Sequence, residues 1–141
     1  MGKLGKNVHF RKISIIESNN GDLIKGFLKS EMNDFDVKEV YFSEVKNNFI
    51  KGWIKHNVQT CNFIVPIGKI KLVIFEDDFD NDPIIMELSK SNHQIITVPP
   101  GNWFAFKGIE NNNLLVNITD LEHDDSESDS IDIDKIEFSW D

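Results

Sequence analysis

The sequence predicts an all-β fold, a sandwich or barrel of short strands, on three observations. Isoleucine, valine and phenylalanine occur 19, 9 and 11 times, and β-branched and aromatic side chains pack well on a pleated surface. Helix-favouring residues are scarce, with one alanine, Ala105, and eight leucines. Stretches of alternating apolar and polar residues recur about every 8–12 positions between turn-forming clusters, the rhythm of a sandwich or barrel rather than a parallel α/β sheet.

The elements follow in order. Ile13-Ser14-Ile15 alternates and is closed by Ser18-Asn19-Asn20-Gly21-Asp22, where glycine and Asx residues suit a turn. Val37 to Phe42 and Phe49 to Ile54 lie either side of Asn47-Asn48, and Phe63 to Val65 and Ile70 to Phe75 either side of Ile67-Gly68-Lys69. Asp77 to Pro83 and Ser89 to Asn92 read as loops before the strand Ile95 to Val98. Pro99-Pro100-Gly101-Asn102 and Asn111-Asn112-Asn113 are turns, and Leu114 to Ile118 follows as a strand. Near the end, Ile131 and Ile133 alternate in one phase and Ile136, Phe138 and Trp140 in the other, which predicts a strand over 130–141 with a bulge at Lys135. That makes about ten strands.

The 141 residues suit one domain, 1–141, with no repeat and no interdomain linker. Disorder is expected, if anywhere, only over 123–130, which is acidic and has no apolar residue to bury. No apolar run reaches the roughly 20 residues of a membrane span, and no charged-then-apolar leader opens the chain. With Lys6 where a myristoylation signal has Ser or Thr, the expectation is a soluble, cytoplasmic protein with no membrane partner. The single cysteine, Cys61, forms no internal disulfide, which suits a reducing compartment and makes Asn117-Ile118-Thr119 an incidental glycosylation pattern.

The net charge of −9 is local. Residues 120–141 hold ten acidic residues and one lysine, so 1–119, with 14 of each sign, are neutral. Without a basic patch to neutralise phosphates, nucleic acid is not an expected partner. The acidic end reads either as a solubilising edge or as a binding device.

Two segments carry the chemistry. The first is Lys51-Gly52-Trp53-Ile54-Lys55-His56-Asn57, followed by Cys61 and Gly68; the second is Pro99-Pro100-Gly101-Asn102-Trp103-Phe104. Together they resemble the two motifs of the cupin superfamily: a glycine, a His-x-His pair, an acidic residue or Gln and a further glycine, then Pro-x-Gly-x-x-His. Within it, the first segment is similar to the Arg-Gly-x-His-x-His of nucleotide-sugar 3,4-ketoisomerases and the Arg-Gly-Leu-His of dTDP-4-dehydrorhamnose 3,5-epimerases. Asn19-Asn20-Gly21-Asp22-Leu23 echoes the family's Asp-x-Arg-Gly-x-Leu, and Val40-Tyr41-Phe42 lies where ketoisomerases carry Arg-Val-Tyr-Tyr. Leu114 to Asp120 and Ile136 to Asp141 are similar to the last strands of both enzymes, so the resemblance spans about residues 13–141.

The resemblance implies a cupin-type double-stranded β-helix, a jelly-roll barrel, that forms a homodimer. It puts metal-ligand positions at Ile54, His56, Cys61 and Phe104, of which only His56 is a good ligand, so no metal or other cofactor is expected. The 3,5-epimerase base falls on Ile54 and its tyrosine near Val116, neither able to move a proton. The ketoisomerase base survives as His56, and Lys51 replaces the arginine that contacts the nucleotide diphosphate, keeping charge but losing the bidentate fork.

A histidine can take a proton from carbon and deliver one to oxygen through an enediol, so His56 alone could move a carbonyl between C4 and C3 of a keto sugar, with Ile54, Phe104 and Phe106 as dry walls. It reads equally as a hydrogen-bonded barrel histidine. Tyr41, the one tyrosine, is the sole candidate phenol, or else a strand residue with its hydroxyl at the surface. Trp53 and Trp103 beside the motifs suit stacking on a base or sugar, worth about 1–3 kcal/mol per base, or else fill the core or a dimer interface. Lys55, Lys71 and Gln59 are further substrate-binding candidates, and His9, His93 and His123 read as surface residues. Three functions stay open: a metal-free isomerase or epimerase of a dTDP-4-keto-6-deoxyhexose in deoxysugar or polysaccharide biosynthesis; a non-catalytic cupin binding a nucleotide sugar, glycan or partner enzyme; and a structural subunit.

Overall fold

The computed structural model describes residues 2–3 and 8–141. Among these residues, thirteen strands succeed one another as β1 (Gly2–Lys3), β2 (His9–Lys12), β3 (Ile15–Ile16), β4 (Leu23–Ile24), β5 (Glu39–Lys46), β6 (Ile50–His56), β7 (Cys61–Ile67), β8 (Lys69–Glu76), β9 (Ile84–Ser89), β10 (Gln94–Val98), β11 (Asn102–Gly108), β12 (Asn112–Thr119) and β13 (Ser128–Ser130). Single 3-10 turns occupy Lys29–Glu31, Asp125–Glu127 and Ile133–Lys135. All strand pairings are antiparallel, in a six-stranded sheet of order β1-β2-β10-β7-β12-β5, a five-stranded sheet of order β13-β6-β11-β8-β9 and the small β3-β4 hairpin.

The two large sheets face each other across a core of Phe63, Ile70, Leu72, Ile74, Leu88, Ile96, Phe104, Phe106 and Leu115. Period-2 alternation puts their neighbours outside. On the outer face of the six-stranded sheet, Ile13, Ile64, Ile95, Val116 and Ile118 are covered by Phe27, Met32 and Phe35. On the outer face of the five-stranded sheet, Trp53, Val73, Phe75, Trp103 and Ala105 are covered by Phe79 and by Ile131, Ile133, Ile136, Phe138 and Trp140.

The C-terminal end differs from the expectation. Residues 130–141 form no strand beyond Ser130, and no bulge sits at Lys135. The change of phase read from the sequence is the 3-10 turn Ile133–Lys135, after which the chain crosses the face of the sheet instead of lengthening its edge. Residues 123–130, expected as the place for disorder, are folded: Asp124 accepts the Ser126 N–H as a cap at 3.0 Å, and β13 pairs Ser128 with His56 and Ser130 with Ile54. Strands β9 and β11 lie where the sequence offered no alternation. Ile13 precedes β3 rather than belonging to it, and β5 starts at Glu39 rather than Val37.

One irregularity sets the direction of a side chain. Along β6 and β11, Phe104 pairs with Ile54 but Ala105 pairs with Gly52, so Trp53 is an extra residue and the phase of β6 slips there. A bulge re-aims the side chains on either side of it. Strict alternation from Ile54 would turn Lys51 outward; the slip turns it to the inner face, opposite Phe106. Gly52 has φ +132°, and a Cβ on it would lie 2.5 Å from the Cβ of Ala105, so only glycine fits.

Candidate functional site

Between the edges of the two sheets lies a cavity of about 180 Å³. Its floor is apolar, made by Ile54, Phe63, Phe104, Phe106 and Leu115, and its rim is polar, with Tyr41, Ser43, Lys51, His56, Asn117, His123 and Ser128. A larger, shallower depression of about 620 Å³ near Lys69 and Lys90 is open to solvent and holds, of the motif residues, only Gly68 and Asp22 and none of the candidate catalytic side chains, so the chemistry points to the smaller one.

His56, at the end of β6, stacks against Phe104 with ring centres 5.9 Å apart. Its Nδ1 lies 2.6 Å from Oε1 of Glu127, and the two side chains are only 12% and 7% exposed. The other carboxylate oxygen, Oε2, accepts the backbone N–H groups of Asn57, Val58 and Gln59 at 3.0, 2.8 and 2.8 Å. Burial would raise the Glu127 carboxyl, but the Gln59 N–H, the imidazole and the Val58 N–H outweigh it and hold the group below its ordinary value. An ionised carboxylate only accepts, so Nδ1 carries the hydrogen and Nε2 is the basic nitrogen of the neutral ring. Gln59 Nε2 stands 3.5 Å from that nitrogen and donates to Cys61 Sγ at 3.3 Å.

Tyr41, on β5, accepts a hydrogen bond from Asn117 Nδ2 at 2.8 Å, and Asn117 Oδ1 in turn accepts the Asn62 N–H at 3.1 Å. Burial pushes the phenol above its usual value, so it stays protonated at neutral pH. Lys51 Nζ donates to Ser43 Oγ at 2.9 Å, leaving a cation at the rim. Burial pushes the Cys61 thiol up to about 11.

Of the residues singled out in the sequence, Tyr41, Lys51 and His56 thus meet at one cavity. Gln59 is buried behind His56 and supports the ring rather than facing the opening. Trp53, Trp103 and Lys71 are not at the cavity. Trp53 and Trp103 lie on the opposite face of the sheet, packed among Phe75, Phe79, Phe138 and Trp140, because Trp53 alternates outward beside the inward Ile54 and Trp103 falls in the outer phase of β11. Lys71 sits over the Phe138 ring at 5.7 Å with Nζ 3.4 Å from the Trp140 carbonyl, and Lys55 over Trp103 at 5.1 Å; these lysines clasp the C-terminal segment and the aromatic layer.

One histidine read as a surface residue is reassigned: His93 is buried and its Nε2–H donates to the Lys25 carbonyl. His123 is exposed, as read, and stands on the cavity rim. Sequence reasoning missed Asn117 and Glu127; for Glu127 the only signal was an acidic residue within an otherwise featureless run. Ile54, His56 and Phe104, at metal-ligand positions of the cupin pattern, do converge on the cavity, with Cys61 behind Gln59. They offer one imidazole, and among the described residues no three His, Cys, Asp or Glu side chains are grouped to hold a metal. The arrangement supplies a base oriented by a carboxylate, a protonated phenol and apolar walls, the parts needed to move a proton next to a carbonyl.

Two antiparallel sheets closed around such a mouth define a cupin-type jelly roll, and the chain has the fold of the nucleotide-sugar isomerases and epimerases within it. Among solved structures it is similar to a dTDP-sugar isomerase from Desulfovibrio desulfuricans G20, with 25% identity over 96% of this chain and 91% of that one and a TM-score of 0.87. It is also similar to dTDP-4-dehydrorhamnose 3,5-epimerase from Sulfolobus tokodaii (18% identity, 96% and 83% covered, TM-score 0.82). A third is the sugar 3,4-ketoisomerase QdtA from Thermoanaerobacterium thermosaccharolyticum in complex with TDP (20% identity, 87% of each chain, TM-score 0.75). No protein-family model and no curated protein sequence matches the chain.

Proposed function

We propose that this protein is a nucleotide-sugar isomerase of the 3,4-ketoisomerase or 3,5-epimerase type acting on a dTDP-4-keto-6-deoxyhexose. The observation that carries this reading is the His56–Glu127 pair at an apolar-floored cavity shared with Tyr41. In the ketoisomerase form, Nε2 of His56 removes the proton from C3, next to the C4 carbonyl, while the Tyr41 hydroxyl donates to the oxygen on C4. The resulting enediol is reprotonated at C4 by His56 as the C3 hydroxyl returns its proton to Tyr41, so hydrogen moves from C3 to C4 and nothing is oxidised overall. Lys51, at the rim, faces the diphosphate. The dry floor keeps the enediol from water and strengthens each charge interaction made there.

The sugar ring fits the small cavity, leaving the nucleotide to lie across the rim. We further propose that the chain acts as a single domain and a cytoplasmic homodimer, within deoxysugar and polysaccharide biosynthesis; sedimentation at micromolar concentration is expected to give twice the monomer mass. Ile54 and Phe104, apolar where relatives of the motif carry histidines, favour a second reading, a cupin that binds a nucleotide sugar, a glycan or a partner enzyme without turnover.

Thermal shift with a panel of nucleotides, dTDP compounds first, separates these readings. A ligand bound only by the folded state raises Tm by mass action. With the matching 4-keto sugar in deuterated water, label at C4 identifies ketoisomerase turnover and label at C3 or C5 epimerase turnover, and His56→Ala abolishes it. Binding without label favours the second reading, and no shift with any nucleotide overturns both nucleotide-sugar readings.

A further inference from the structure

We infer that Asn20 is a site of spontaneous covalent modification: the backbone nitrogen of Gly21 displaces the Asn20 side-chain amide, and the tip of the β3–β4 hairpin is converted to a mixture of isoaspartate and aspartate. The tip shares no residue with the cavity, so this chemistry is independent of the isomerase reading.

Sequence and structure single out one amide. The chain holds fifteen asparagines, and Asn20 alone precedes a glycine. After each of the others stands a residue whose Cβ crowds the next amide nitrogen and hinders its approach to the asparagine side chain. At Gly21 that obstacle is missing: φ is +126°, and no atom beyond the chain neighbours lies within 4 Å of where a Cβ would stand. Residues 16–23 are all exposed, so water reaches the tip from every side. Among the described residues nothing holds the Asn20 side-chain amide, whereas those of Asn57, Asn62, Asn102 and Asn113 each donate to a backbone carbonyl. One restraint opposes the step, the Gly21 N–H donating to the Ser18 carbonyl at 3.1 Å. That bond closes an exposed turn, where local opening takes little free energy.

The step balances with water as its sole co-reactant. The Gly21 nitrogen gives up its proton and attacks Cγ of Asn20. A bond forms between them, the bond from Cγ to the amide nitrogen breaks, and that nitrogen takes up the proton and leaves as ammonia. Water then opens the cyclic imide at either carbonyl: at Cγ it gives aspartate, and at the main-chain carbon it gives isoaspartate, in which the backbone runs through the former side chain. Both products place a new carboxylate two positions from Asp22, whose oxygens hold the Ser18 N–H at 3.1 Å and Lys90 Nζ at 2.7 Å. Isoaspartate also lengthens the backbone of the tip by one carbon, which shifts Gly21 from its bond to Ser18.

The test incubates the full chain at neutral pH and body temperature. Mass spectrometry then maps it after digestion with a protease that cuts before aspartate but not before isoaspartate. The expected result is both products at Asn20, formed about tenfold faster than at any other asparagine, because only there is the neighbouring Cβ absent. Anion exchange is expected to show an acidic species that Asn20→Gln abolishes and Asn19→Gln leaves in place. A peptide of residues 14–25 supplies the rate without a turn. An Asn20 that stays intact in the folded chain after the peptide has converted overturns the inference, because the Ser18 bond then protects it. Faster loss at another asparagine, or an acidic species that persists in Asn20→Gln, overturns it as well. Turnover of a keto sugar, found or not, bears on the isomerase reading alone.

Discussion

At the scale of single residues, the site is a set of buried polar groups whose states differ because their neighbours do. Cys61 and Glu127 are both buried, yet burial raises the thiol to about 11, whereas the carboxyl is held down because backbone N–H groups and an imidazole reach it. Cys61 should therefore stay a thiol and resist alkylation in the folded protein, with modification at neutral pH appearing only on denaturation, which mass spectrometry of iodoacetamide-treated samples reads. Glu127 makes the opposite prediction about stability. Its folded value lies below its unfolded one, so its contribution is full above the ordinary carboxylate range and is lost as pH falls through the depressed value. Wild type should exceed Glu127→Gln by about 2 kcal/mol in urea unfolding near neutral pH, a gap that shrinks on acidification below the ordinary value. His56, Tyr41 and Lys51 were legible in the sequence because motif spacing brings them together. Glu127 was not, since a carboxylate 71 positions from its imidazole has no periodicity to betray it.

At the scale of elements, alternation was legible where one face of a strand meets water and the other the core. The start of strand β8 reads cleanly, with Ile70 and Leu72 buried in the core between the half-buried Lys69 and Lys71. In β11, Trp103 to Phe106 are all buried, because the C-terminal segment covers the outer face, and a strand buried on both sides shows no period. The aromatic layer drew Trp53 and Trp103 toward a ligand role because tryptophans near a motif look the same whether they face a mouth or a hydrophobic cover. Gly52 is the point where the element decides the site. Gly52→Ala forces a side chain into Ala105 at a backbone angle that L residues avoid, and should cost about 2–3 kcal/mol and turn Lys51 away from the rim; urea unfolding reads the first effect and loss of the nucleotide thermal shift the second.

At the scale of the molecule, the last 22 residues, the acidic ones, complete two faces of a barrel that the rest of the chain leaves unfinished. Ile131 to Trp140 cover Trp53, Val73 and Phe75, and burying a large apolar side chain contributes about 1.5–3 kcal/mol. Removing residues 136–141 should lower Tm by well over 5 °C and expose the aromatic layer, seen as dye binding and as a red shift of Trp53 emission, while the His56–Glu127 pair, upstream of the cut, remains. The overall architecture was legible because composition and turn spacing admit few alternatives. The closing segment was not, since its apolar phase fits a strand at an edge as well as a strap across a face. Synthesis runs from the N-terminal side onward, so on the ribosome β1 to β12 emerge before Glu127 and Trp140 do. A chain stalled before Glu127 would present an open mouth, an unaligned imidazole and a bare aromatic sheet, so the site is finished only once residues 120–141 have been made.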